Sequence, residues 1–422
     1  MPMRSVVSAQ LREYLRSNQD GLVSLLKSLV GIPTINPPGQ CYGQMVKVLQ
    51  NRCRQLGMKV KVHRVPDGLV RDVAGVGPEF PRYNLIARWD VGAPRTVHFN
   101  AHYDVVPAAG SWKLGGPFTP VERNGEVYGR GTGDMKGSIA ALLMAVEALR
   151  HNRLSPAFNV EYSFTADEET GGELGAGFIV RQGLIDADYA VVCEGAAGSR
   201  IGCGHNGVLW LVVELEGRSA HASSPRKGIN AFEAMAAMVS HLQGYKRELL
   251  ARGSRYRDFD GKECRPTINI GGVFGGGDGD KVNTVPERSW FSIDRRILPN
   301  EDLHLVEREL RDVLGRAAQK HAKVKVEIRA PLRIAPCVVD PQHVLPRSFA
   351  LTAQSVRRRP AEFGTTRGFT DLHYFVEEGG LPGIGYGVKG EQGHGVDERV
   401  AVRDVLQTGR TYAEFMVKGI QV

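Results

Sequence analysis

Residues Gly137 to Leu149 are apolar on nearly every side, with Ile139, Leu142, Leu143, Met144, Val146 and Leu149 leaving no polar stripe. A helix of that kind must be covered all round, and burial against a sheet does this. The flanking sequence supplies the strands. Tyr83–Arg88, Thr96–His102, Phe158–Ala166 and Ala190–Cys193 carry the apolar, β-branched and aromatic residues of strands, and helical patterns separate them. Strands alternating with helices are the mark of an α/β fold, here a mainly parallel sheet flanked by helices.

The same reading orders the rest of the chain. Ser8 to Val30 has leucines at helical spacing, and Pro33, Pro37 and Pro38 stop that helix. A second helix over about Tyr42–Leu56 precedes the strand Lys59–Val62. The rhythm changes at Val208. A strand to Glu216, a helix over Asn230–Leu250, strands Thr267–Gly272 and Arg288–Arg296, a helix over Glu301–Lys320 and a strand at Val324–Ile328 give the order βαββαβ. That order is the ferredoxin-like split βαβ sandwich, a small domain complete in itself. The α/β pattern then resumes, with helices near Pro346–Gln354 and Thr370–Glu378, a strand at Gly383–Tyr386 and a last helix from Asp404. The expected organisation is one α/β domain in two segments, 1–204 and 330–422, with 205–329 inserted. A chain of 422 residues suits two domains.

Composition narrows the function. The formal charge is +8, but outside Arg357-Arg358-Arg359 no dense basic block occurs, so an acidic small substrate is expected rather than nucleic acid. Six scattered cysteines without a C-x-x-C pair read as free thiols and not as a zinc site. The start of the sequence lacks an apolar run of signal-peptide length, and no stretch could span a bilayer. A cytoplasmic protein with no membrane partner is the expectation.

The chemistry gathers at strand ends. Ligands of an open α/β sheet sit outside the carboxyl ends of its strands. His102, the run Asp167-Glu168-Glu169, and Glu194 each end a strand, and Asp134 stands just before the buried helix. Histidine and carboxylate ligands together suit zinc, with cobalt, manganese and nickel also accommodated.

Three stretches carry a resemblance. They are His102-Tyr103-Asp104-Val105-Val106-Pro107, Tyr128-Gly129-Arg130-Gly131-Thr132-Gly133-Asp134-Met135-Lys136-Gly137 and Thr165-Ala166-Asp167-Glu168-Glu169-Thr170-Gly171. With Glu194, His221 and His394 they resemble the zinc-dependent amidohydrolases and peptidases that include acetylornithine deacetylase, succinyl-diaminopimelate desuccinylase, aminoacylase-1 and the glutamate carboxypeptidases. The inserted domain resembles that family's lid, which usually carries the dimer interface.

The resemblance implies two divalent ions, zinc first and cobalt or manganese next. His102 and Glu194 would hold one, Glu169 and His394 the other, and Asp134 would bridge them. Asp104 would accept the second ring N–H of His102. Glu168 would be the general base, with Asp167 an ordinary turn residue. His394 lies in Gly393-His394-Gly395-Val396-Asp397-Glu398, where the family often has Ala-His-x-x-x-Glu. His221 would reach the partner subunit's active site and donate to the oxyanion. Asn283, Arg296 and Arg367 match positions that contact substrate, with Arg296 preferred to Arg295 on spacing and Arg367 a clamp for a substrate carboxylate. His98, His205 and His373 are read as structural.

The expected activity is hydrolysis of the amide of an N-acyl amino acid, of deacetylase or desuccinylase type, by a homodimer. A dipeptidase or carboxypeptidase acting on short peptides is the alternative within the class. A non-catalytic metal-dependent binding protein is the alternative outside it, and the intact Glu168 speaks against that, because a binder needs no base.

Overall fold

A computed structural model describes residues 2–421 of the chain. It divides into two compact units, one holding the described residues up to Gly204 with Val338–Thr366 and Thr370 onward, the other His205–Cys337 with Arg367–Phe369.

The first unit is built on a nine-stranded sheet. Seven of its strands run in the order Lys59–Arg64, Tyr83–Trp89, Asn159–Thr165, Thr96–His102, Tyr189–Ala197, Gly383–Gly387, Arg200–His205. The sheet is mixed, not mainly parallel. Asn159–Thr165, Thr96–His102, Tyr189–Ala197 and Gly383–Gly387 are parallel, whereas Lys59–Arg64 with Tyr83–Trp89, Tyr83–Trp89 with Asn159–Thr165, and Gly383–Gly387 with Arg200–His205 pair antiparallel. Connection length explains this. A parallel crossover takes a dozen or more residues, and only residues 90–95 separate Tyr83–Trp89 from Thr96–His102, so the chain must reverse. The helix Gly137–His151 is long enough to carry Thr96–His102 over to a parallel neighbour.

That helix is buried along almost its whole length, as its sequence requires. It packs against the last helix, Val402–Lys418. The two approach closely at Gly409, where a Cβ would stand 3.1 Å from the Ala141 carbonyl oxygen. Leu142 and Leu143 are fully buried there, and truncating such a leucine to alanine costs about 2–5 kcal/mol. The expected single helix over Ser8–Val30 is two, Pro2–Ser17 and Gln19–Val30. Asn18 separates them, its side-chain amide donating to the Tyr14 carbonyl at 2.9 Å. Asparagine offers the backbone this alternative to helical bonding.

The second unit has a four-stranded antiparallel sheet in the order Thr267–Gly276, Arg288–Ile297, Gly207–Glu216, Lys325–Ile334. Alternate residues of the two central strands, such as Leu211, Val213, Phe291 and Ile293, are buried in one core with helices Ala231–Leu250 and Leu303–Gln319. Both helices begin on capping side chains. Asn230 accepts from the Glu233 N–H and Asp302 from the Leu305 N–H. No helix among the described residues is long and apolar enough to cross a membrane.

Candidate active site

Three parallel strands set one edge of the site. His102 ends its strand opposite Thr165, the last residue of the neighbouring strand. The turn Asp167–Thr170 therefore emerges beside the imidazole. On the other flank Tyr189–Ala197 runs parallel and carries Glu194. Asp134 arrives from the turn Thr132–Lys136, just ahead of the buried helix, where the Asp134–Met135 peptide is cis.

These side chains meet. Asp134 stands between two imidazoles, with Oδ1 3.1 Å from His102 Nε2 and Oδ2 3.2 Å from His394 Nε2. His394 Nε2 is also 3.0 Å from Glu169 Oε2. Glu168 and Glu194 each place an oxygen 3.9 Å from His102 Nε2. Two groups, His102–Asp134–Glu169 and His102–Glu168–Glu194, bring their candidate ligand atoms within 4.8 Å of one another. All of these residues are largely buried except His394, which is half-exposed.

Asp104 is fully buried. Its carboxylate accepts from the backbone N–H groups of both Glu168 and Glu169 at 3.2 Å, and from the Asn36 amide at 3.0 Å. His102 Nδ1 lies 3.4 Å from that carboxylate but 3.1 Å from the Asp104 carbonyl oxygen, so the ring has two acceptors on one residue.

The charges are unbalanced without a cation. Burial, then the Glu194 charge, pushes the Glu168 carboxyl well above its usual range. Burial does the same to Glu194 and, with the Asp134 charge, lifts Glu169 to about 7. Hydrogen bonds to Asp134 and Glu169 lift His394 to about 10. Burial opposes charge on His102, but Asp104 and Asp134 outweigh it and raise the ring well above its usual value. Glu194 Oε1 is buried with no hydrogen-bond partner. A charged group left so is costly, by more than about 1–3 kcal/mol. Imidazoles, clustered carboxylates and an orphaned carboxylate oxygen fit divalent cations.

A prediction follows for pH. Glu169 is raised in the fold, so the metal-free protein loses stability as pH rises from the unfolded carboxyl value through about 7. His394 is also raised, so its contribution is full below the unfolded imidazole value and fades as pH climbs towards about 10. Both signs agree. Metal binding needs the deprotonated ligands and runs the other way. The gap in melting temperature between zinc-loaded and chelator-stripped protein is expected to be wider at pH 8 than at pH 6. An equal or narrower gap at pH 8 would overturn this account of the cluster.

Some residues near the site were not singled out from the sequence. Asp167, read there as a turn residue, does adopt a left-handed turn conformation. Its side chain, however, is buried, accepting from Arg82 Nε and the Tyr42 hydroxyl at 2.7 Å each. Asp371 is buried beside the cluster, accepts from the Thr165 hydroxyl, and is lifted to about 7 by burial. Its signal in the sequence is its place four residues after Arg367, which was marked for substrate contact. His98 bridges Glu161 and Ser163 inside the sheet, a structural role.

The remaining expected residues lie in the second unit. His221 is exposed on the short strand Ala220–His221, its Nδ1 2.8 Å from the Ser223 hydroxyl. The Asn283 carbonyl accepts from the Ala222 N–H, tying its loop to that of His221. Arg296 makes two bonds to Asp294, at 2.8 and 2.9 Å, and stays partly exposed, whereas Arg295 is buried against Glu301. Arg367 pairs with Asp258 at 2.6 Å.

Comparison with known proteins adds the following. Residues 98–418 match the model of peptidase family M20/M25/M40. An acetylornithine deacetylase of Photorhabdus laumondii is 30% identical over 283 residues, covering 66% of this chain and 67% of that one. A succinyl-diaminopimelate desuccinylase of Rickettsia bellii is 24% identical over 408 residues, covering 94% and 96%. Among solved structures, the dipeptidase Dug1p of Saccharomyces cerevisiae shares the fold, with a TM-score of 0.79 at 15% identity and coverage of 98% and 99%.

Proposed function

This chain belongs to peptidase family M20/M25/M40 and is a metal-dependent hydrolase of the amidohydrolase and peptidase class, and from that premise we propose that it removes the acyl group from N-acyl amino acids. The observation that carries the reading is Asp134 standing between His102 and His394, with Glu168 beside them. The named relatives, a deacetylase and a desuccinylase, supply the substrate class.

In this reading two divalent ions, zinc by choice of ligands and cobalt or manganese next, would be held by His102 with Glu194 and by Glu169 with His394, with Asp134 available to both. What such a pair supplies when bound is acidification of water and polarisation of a carbonyl oxygen. Glu168 takes the proton of the attacking water and returns it to the departing amine. The amide C–N bond breaks, and a carboxylic acid and an amino acid leave. Asp104 keeps Glu168 and Glu169 in place through their backbone N–H groups.

The domains are assigned as a catalytic domain of residues 1–204 and 330–422 and an inserted ferredoxin-like lid of 205–329, through which the protein dimerises. Support comes from the βαββαβ order of the second unit and its antiparallel strand arrangement. Asn283, Arg296 and Arg367 are assigned to the substrate pocket. Arg296 and Arg367 would then exchange Asp294 and Asp258 for a substrate carboxylate. A cytoplasmic location accords with six cysteines that form no disulfide.

His221 is assigned as the oxyanion donor, contributed to the partner subunit's site. His221→Ala is expected to keep its metal and lose about 10²–10³ in kcat, the usual effect of removing one such donor. Mixing it with Glu168→Gln is expected to restore activity in the heterodimer, which holds one intact site. Mixed dimers without recovered activity would refute the shared site. The substrate class is tested by a hydrolysis screen of acetyl, succinyl and formyl amino acids and dipeptides, with zinc, cobalt or manganese supplied. Turnover of acyl amino acids is the expected result. Turnover of dipeptides alone would replace it with the peptidase reading.

A further inference from the structure

Glu398 is fully buried, and its carboxylate receives four N–H bonds from one short loop. Oε1 accepts from the backbone of Gly133 at 2.9 Å and of Asp134 at 3.1 Å. Oε2 accepts from the backbone of Gly131 at 2.9 Å and from Arg130 Nη1 at 2.6 Å. The other arm of Arg130 donates to the Gly395 carbonyl, next to His394. The Glu398 carbonyl in turn accepts from the Gly129 N–H, and the chain continues as the strand Arg399–Ala401 paired with Glu126–Tyr128. The two segments touch backbone to backbone, since a Cβ on Gly133 would lie 2.7 Å from the Gly390 Cα.

We propose that Glu398 is a positioning residue that locks the Asp134 loop to the segment carrying His394, so that one carboxylate faces both imidazoles. The inference rests on the two-metal reading above. His102 and Glu194 stand on strands of the main sheet and need no such lock. His394 sits half-exposed on a loop, in a left-handed conformation, and Glu398 and Arg130 tie that loop to the turn carrying Asp134. The His394–Glu169 side therefore depends on Glu398 for both Asp134 and His394, and the His102–Glu194 side for Asp134 alone. The carboxylate is required as such. In glutamine one terminal atom is itself a donor, and in either orientation it would face two N–H groups.

The test is calorimetric titration of chelator-stripped protein with Zn²⁺, with zinc per chain measured after dialysis. Wild type is expected to bind two ions. Glu398→Gln is expected to bind one ion about 10–100-fold more weakly, the usual cost of losing a group that orients a ligand, and the other with a clearly smaller loss. Adding Glu398→Gln to His394→Ala is expected to weaken the more affected ion little beyond His394→Ala alone, because both changes strike the same side. A merely structural role would instead weaken both ions equally. If Glu398→Gln does not fold by circular dichroism, Glu398→Asp carries the same test, since it keeps the charge and shortens the reach. Two unchanged ions, or equal weakening of both, overturns the proposal. A wild type that binds fewer than two ions overturns the two-metal reading instead.

Discussion

Glu168→Gln is expected to hold its metal as wild type does and to lose about 10²–10⁴ in kcat, the range that general acid–base groups contribute. Glutamine keeps the size and the contact distance to His102 but cannot take a proton. The neighbouring ligand Glu169 is untouched, because the turn that carries both residues is held through backbone N–H groups and not through the Glu168 side chain. Removing the Glu168 charge also relieves its repulsion with Glu194, so metal content has no reason to fall. Turnover of an acyl amino acid beside zinc analysis makes the check. Near-normal kcat with full metal would remove Glu168 from the role of base.

Asp134→Ala is expected to do more. It takes from both imidazoles the carboxylate they share, so neither group of ligands survives as it stands. Zinc content should fall at both sites, and activity should drop to the level of chelator-treated wild type. Excess zinc should not restore it, which separates a missing ligand from mere dilution of the metal. A variant retaining one full equivalent of zinc and measurable turnover would show that Asp134 serves only one side. In either variant the fold is expected to persist, because the core of the first unit lies around the helix Gly137–His151 and not at the cluster.

The legible part of this site followed from periodicity. His102, Glu168, Glu169 and Glu194 end or closely follow apolar strands, and parallel strands place such positions on one edge. Asp134 was marked from its place before the buried helix, but its bridging role, and His394 altogether, were reached only through resemblance. Both stand on irregular loops whose placement depends on bonds between segments far apart in the chain, and no local pattern records such bonds. The same holds for the Asp167–Arg82 pair, which joins positions 85 residues apart. Sheet direction was misjudged because apolar runs show burial and not polarity of pairing. The break at Asn18 was missed because leucines at helical spacing continue on both sides of it.

Asp104 has one further consequence. The base and a ligand are sequence neighbours that stand on a common footing, one carboxylate receiving both of their backbone N–H groups. A disturbance there moves the two glutamates as a pair and leaves their mutual spacing intact. Drift at this position would therefore degrade proton transfer and metal retention in step. An ancestor that kept one of those abilities while losing the other would have had to change at Glu168 or Glu169 themselves.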